Sequence, residues 1–171
     1  MVANRANKEQ EMIKDILKIL EDDARTTPKQ ISAMTGIPSH EVTKHIKQAE
    51  KERIILKYKA LINWDKVEDE QVWALIEVKV TPQRDVGFDV IAERIYQFPQ
   101  VYSAYLVSGT YDLAVLVKGK TMHEISSFVT EKLAPLERVQ STVTHFLLKR
   151  YKENGEVFQL PKGIERLPIT P

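Results

Sequence analysis

Apolar residues recur at helical spacing through the first third of the chain and then switch to alternation, a change of period that divides its 171 residues in two. Ile13, Ile16, Leu17 and Leu20 share one helical face, while Lys14, Asp15, Lys18 and Glu21 turn away. This first helix is expected to end near Asp22–Asp23. Thr27 opens a second helix: its hydroxyl can cap, Pro28 suits the first helical position, and Gln30 completes a capping box. Ile31 and Met34 are expected to point inward. Gly36 stands where the chain must turn sharply with positive φ, and Pro38 bars continuation of the same helix. A third helix is predicted from about Ser39 to Glu52, with Val42, Ile46 and Ala49 as its packed face. Ile54 to Ile62 reads as a strand-like wing.

From Val72 the pattern alternates. Val72, Ala74, Ile76, Val78 and Val80 are interleaved with Trp73, Leu75, Glu77 and Lys79, as in a half-buried strand. Phe88, Ile91, Ala92, Ile95 and Phe98 mark a helix that Pro99 ends. Two strands, Val101–Ser108 and Asp112–Lys118, flank Gly109-Thr110-Tyr111. Ile125, Phe128, Val129 and Leu133 form another helix, stopped before Pro135, and Val139–Lys149 is the last strand. His145 alternates with apolar residues there and is expected to be packed in the core or at an interface. The chain is therefore expected to be α+β. A winged helix-turn-helix over 1–63 and a linker over 64–71 precede a ferredoxin-like βαββαβ sandwich over 72–153, and a tail carrying three prolines follows over 154–171. Two helices would cover one face of the sheet and leave the other for a partner.

Composition narrows the chemistry. With no cysteine, disulfides, thiolate metal sites and cysteine catalysis are excluded. The N-terminus, MVANRANKEQE, lacks a signal-peptide core, and no apolar run approaches the ~20 residues of a membrane span, so a cytoplasmic protein is expected. The formal net charge is +1, but its distribution is uneven: 12 Lys/Arg against 9 Asp/Glu over 1–63, and 13 against 15 over 64–171. On the third helix, His40, Thr43, Lys44 and Lys47 lie off the packed face, with Ser39 at the N-terminal end. Lysines reach phosphates or guanine edges, and Thr or His meets other base edges. A polar helix face is often only solvated, but the preceding helix-turn and the following wing favour double-stranded DNA as a partner. Arg53, Lys57 and Lys59 in the wing are expected to reach backbone phosphates. His40, His45, His123 and His145 show no metal-ligand spacing, and neither a phosphate-binding glycine loop nor a nucleophile elbow is present. No catalysis, metal or cofactor is expected.

Gly36-Ile37, Val42 to Ile46 with Glu50, the wing from Ile54-Ile55 to Ala60, Gly109 to Asp112, and Thr142-Val143-Thr144 together resemble the Lrp/AsnC (feast/famine) transcriptional regulators. The resemblance runs from about Lys8 to Glu153. It implies a C-terminal domain of the RAM/ACT-like kind and a homodimer built through the C-terminal sheets, assembling into octamers or similar rings. It also implies an amino-acid effector at the contact between dimers, held by Gly109, Thr110, Tyr111 and Asp112 with Thr142 and Thr144. On chemical grounds Asp112 suits an ammonium, while loop N–H groups and the Thr hydroxyls suit a carboxylate. The same loop also suits a plain hairpin turn, with Gly109 supplying positive φ and Asp112 a local backbone bond. Three positions depart from the family pattern: Pro38-Ser39 replaces Ser-Pro, His45 replaces a common Arg, and Ala49 a common Leu. Two other readings stay open. One is a ligand-sensing or assembly protein whose helix-turn-helix does not bind DNA, and the other is an enzyme resembling the siroheme decarboxylases, which share the fold.

Overall fold

The computed structural model describes residues 2–67, 71–82 and 87–158. Its contacts divide the chain into two units that meet at Ile62 and Asn63. The first unit holds helices α1 (Val2–Asp22), α2 (Pro28–Thr35) and α3 (Ser39–Lys51). Ile16, Leu20, Ile31, Ile37 and Val42 form its core, with Met12, Ile19, Ile46 and Ile55 packed around them. The inward stripe of α1 is thus 12, 16, 19 and 20, a slight rotation from the expected face; Ile13 and Leu17 stay half-buried. Met34 does not point inward, for it is 69% exposed. A helix of only two turns inserts a narrow stripe, here Ile31. Gly36, at φ 73°, then reverses the chain and folds Ile37 back into the place expected for Met34.

The capping box forms as expected, the Thr27 side chain accepting from Gln30 N–H and the Gln30 side chain from Thr27 N–H. Pro38 occupies the N-cap of α3, where no side-chain cap bond forms; its carbonyl instead accepts from Glu41 and Val42 N–H. At the other end the Ala49 carbonyl accepts from Ile54 and Ile55 N–H at 2.9 and 3.1 Å. The wing departs from expectation. Between Arg53 and Asn63 no strand forms, because a ladder needs a paired neighbour and no described segment of this unit pairs with it. The segment is instead pinned by Tyr58, whose hydroxyl donates to Glu50 at 2.9 Å.

The second unit is built on β1 (Val72–Val80), α4 (Asp89–Tyr96), β2 (Val101–Leu106), β3 (Leu113–Gly119), α5 (Met122–Phe128) and β4 (Val139–Leu147). The strands are antiparallel in the order β2-β3-β1-β4, the arrangement of a split βαβ sandwich. Ile76 lies opposite Val115 on one side and Thr144 on the other. Ala74, Ile76, Val78 and Val80 bury one sheet face with Ile91, Ile95, Ile125 and Phe128. After Phe128 the helix widens into a π-turn over Val129–Leu133, which keeps Leu133 in the core. The other face stays open, with Tyr105 and Val143 60% and 50% exposed. His145 stands on that open face rather than in the core. Phe146 packs inward, and the period of two turns His145 outward, its Nε2 3.3 Å from Glu77 Oε1.

The expected tail over 154–171 begins within a short hairpin. β5 (Lys152–Glu153) and β6 (Glu156–Val157) pair across Asn154-Gly155, whose φ values of 47° and 87° are those of the tight turn this dipeptide favours. The tail beyond Phe158, and residues 68–70 of the expected linker, lie outside the described residues. No helix among the described residues is long and apolar enough to cross a membrane.

Removing the cap should weaken the first unit selectively. Thr27→Ala is expected to cost about 1 kcal/mol, read as an earlier loss of helical circular dichroism in urea. Gly36→Ala should cost ~1–2 kcal/mol through its left-handed φ, although open space surrounds the added Cβ.

Candidate functional site

Helix α3 is held from behind by Val42 and Ala49, both buried, so its opposite side is fixed relative to the core. His40, Thr43, Lys44 and Lys47 come together there along one open groove of about 420 Å³, as the spacing predicts. Gln48 and Lys51 line the same groove and were absent from the expected set. Lys44, Lys47, Gln48 and Lys51 stand at i, i+3, i+4 and i+7, so helical periodicity alone could have found them. Three ammonium groups on one face make a positive strip, with hydroxyl, imidazole and amide donors between them. Such a strip can meet phosphate oxygens and base edges. The Thr43 hydroxyl donates to the Ser39 carbonyl at 2.9 Å, leaving its oxygen to accept. Ser39 is half-buried and lies outside the groove lining. Lys57 and Lys59 are exposed on the extended segment beyond the helix. Glu50 and Tyr58 hold that segment against α3, a link that no periodicity announces. Burial and the Glu50 carboxylate raise the Tyr58 phenol above its ordinary 10.0, keeping it a donor.

The loop between β2 and β3 spans residues 107–112. Gly109 lacks the positive φ expected of it, and open space surrounds the position of a Cβ there. Neither the backbone nor the packing of its own chain calls for glycine at 109, which weakens the plain-turn explanation of this residue. Thr110 is exposed and Tyr111 half-buried. Asp112 is engaged: Oδ2 accepts from Val80 N–H at 2.9 Å and Oδ1 lies 3.3 Å from Lys79 Nζ. The Val80 bond, and then the Lys79 ammonium, hold its carboxyl below the ordinary 3.8 against the opposing pull of burial. The Asp112 carboxylate clamps the end of β1 to the start of β3.

Thr142 pairs with Val78 and Thr144 with Ile76, so both lie on the helix-covered side of the edge strand β4. Asp112 meets Lys79, which alternates onto the open side. Within one chain the Asp112 side chain and the Thr pair therefore lie on opposite faces, Thr142 near the loop's end of the sheet and Thr144 opposite the middle of β1. The described residues contain no group of three His, Asp or Glu side chains placed to hold a metal ion.

Comparison with known proteins bears on both units. The Lrp/AsnC ligand binding domain model matches residues 73–157, and a winged helix-turn-helix DNA-binding model matches residues 10–55. A Bacillus subtilis protein named as the uncharacterized HTH-type transcriptional regulator YugG is 48% identical over 158 residues, covering 92% of this chain and 95% of its own length. The HTH-type transcriptional regulator FL11 of Pyrococcus furiosus is 26% identical, with 84% and 92% covered. Among solved structures, a Neisseria meningitidis transcriptional regulator in complex with L-Met is 25% identical. It superposes with a TM-score of 0.66 over 88% of this chain and 94% of that one. AsnC of E. coli, 17% identical, shares the fold with a TM-score of 0.64 over 84% and 94%.

The Asp112 clamp predicts an acid dependence. Its proton leaves more readily in the folded chain, so its stabilisation is present above about pH 4 and fades as pH falls through the lower folded value. Asp112→Asn keeps an oxygen for Val80 N–H but carries no charge. Urea midpoints of wild type and Asp112→Asn should differ at neutral pH and converge on acidification below about pH 4; a constant gap would contradict the clamp.

Proposed function

This chain belongs to the Lrp/AsnC family of transcriptional regulators, and from that premise we propose that it reads duplex DNA with α3 and adjusts its assembly to a bound amino acid. The observation that carries the reading is the single groove in which His40, Thr43, Lys44, Lys47, Gln48 and Lys51 meet on the unpacked side of α3. Two such helices, one from each protomer of a homodimer, enter successive major grooves about one helical turn apart. Lys57 and Lys59 follow on neighbouring phosphates, and Ser39 lies at the helix end nearest the bases. In this reading the protein acts in the cytoplasm.

The open sheet face supports a dimer closed through the second unit, since Tyr105 and Val143 remain exposed in the single chain. The L-Met held by the Neisseria regulator supports an amino acid as the effector class. Gly109 supports close approach of a ligand or a neighbouring copy to the loop, because nothing in its own chain fills the space beside it. Thr110 and Tyr111 flank that approach. Asp112, ionised and with lone pairs unused by Val80 and Lys79, meets the ammonium. Thr142 and Thr144 contribute across a contact between dimers, since within one chain they flank the opposite face. An effector that needs two copies to complete its site binds one assembly state better than another, and its influence on DNA is at most that difference in affinity. Assembly into octamers or similar rings lets several modest DNA contacts add through avidity.

Fluorescence anisotropy with DNA from upstream of the protein's own gene tests the DNA half. Lys44→Ala/Lys47→Ala should weaken binding about equally on all sequences and, with two lysines lost from each of two protomers, reduce the salt slope of the dimer by about 4. An unchanged slope would remove α3 as the reader. For the effector half, adding L-Met or another amino acid should shift the DNA affinity of wild type by roughly 5–150-fold, and Thr110→Ala should reduce the shift.

A further inference from the structure

Helix α3 ends in a turn that brings the following segment back to it. Arg53 takes a left-handed φ of 57°, uncommon for a residue with a side chain, and the Ala49 carbonyl accepts from the N–H groups of Ile54 and Ile55. Ile55 packs on the core, and three residues later the Tyr58 hydroxyl donates to Glu50 Oε1 at 2.9 Å. Lys57 and Lys59 are the immediate neighbours of Tyr58, each one Cα step of ~3.8 Å away. The Tyr58–Glu50 bond therefore limits where both lysines stand relative to α3.

Glu50 marks the side of the helix on which they stand. It follows Thr43 by seven residues, close to two full turns, and Lys47 by three, so the three lie along one side of α3. Thr43 and Lys47 line the groove, and Glu50, outside its lining, stands beside it. A carboxylate there repels phosphates, so by charge alone Glu50 weakens DNA binding. Its bond to Tyr58 offsets that cost. Ordering side chains and loops opposes association, and a segment held in advance needs less ordering when DNA arrives. Burial and the Glu50 carboxylate keep the phenol protonated, so it remains a donor at neutral pH.

We propose that Glu50 and Tyr58 are a positioning pair for DNA binding. Neither touches DNA; together they hold Lys57 and Lys59 at the phosphates flanking the groove that α3 reads. This rests on α3 being the DNA-reading helix.

Anisotropy with the same upstream DNA, across a salt series, tests the pair in the full-length protein. Lys57→Ala/Lys59→Ala should weaken binding and lower the salt slope of the dimer by about 4. Tyr58→Phe keeps the ring and loses the hydroxyl. It should weaken binding about tenfold, the size of one exposed hydrogen bond lost in each of two protomers. In the Lys57→Ala/Lys59→Ala background it should cause no further loss. Glu50→Gln keeps an oxygen for the hydroxyl without the charge, and should bind at least as tightly as wild type. Glu50→Ala keeps neither, and should bind about tenfold more weakly than Glu50→Gln. Where Tyr58→Phe loses helix by circular dichroism, the two Glu50 variants carry the test.

Unaltered affinity in Tyr58→Phe would overturn the pair, as would equal affinities of Glu50→Gln and Glu50→Ala. A Tyr58→Phe loss that persists in full without the lysines would overturn it too, since Tyr58 would then act on DNA or on the fold directly. Lys44→Ala/Lys47→Ala in the same series separates the two proposals. An unchanged slope there removes α3 as the reader, and the pair with it. The expected fall there, beside an unresponsive Tyr58→Phe, overturns the positioning pair alone.

Discussion

The second unit depends on the register of β1. This strand lies between β3 and β4 and contributes four consecutive inward residues, Ala74, Ile76, Val78 and Val80, to the buried face. A slip of one residue would drive Trp73, Glu77 and Lys79 beneath the helices, where burying the two charged groups unpaired is far more costly than any ladder bond is favourable. The same register decides what stands on the open face. It sets His145 beside Glu77, and it brings Lys79 to the Asp112 carboxylate.

A different constraint governs the first unit. Among the described residues its core cluster is small, five buried side chains with four partly buried neighbours, so local devices carry much of the definition. The Thr27 capping box starts α2, Gly36 ends it, and the Ala49 carbonyl closes α3. Together these fix the angle at which α3 presents its lysines. The departures from the family pattern are absorbed locally: Pro38 starts α3 through backbone bonds alone, and the small Ala49 is buried at 3% exposure. The loss of an arginine at His45 leaves the groove cationic, because Lys44, Lys47 and Lys51 all line it.

Much of this was legible in the residues. Period and punctuation gave the element order, the capping box, the left-handed Gly36 and the four-strand sheet, because each rests on interactions within a few residues of the chain. Some misses were legible too: Gln48 and Lys51 follow the helical period, and Asn154-Gly155 is a strong hairpin signal. Others were not. Met34 has the same polarity and spacing whether it faces in or out, and only the fold of the chain after Gly36 put Ile37 in its place.

The sequence by itself determined the order and type of the helices and of the four strands of the main sheet, and the apolar face of most of them, since those properties follow from backbone preference and local spacing. The tertiary structure alone decided that Asp112 engages Val80 and Lys79, that Gly109 has no conformational need to be glycine, and that Thr142 and Thr144 flank the face opposite Asp112. These depend on which strands become neighbours and in what register, and that is set by burial summed over the whole unit rather than by any stretch of chain.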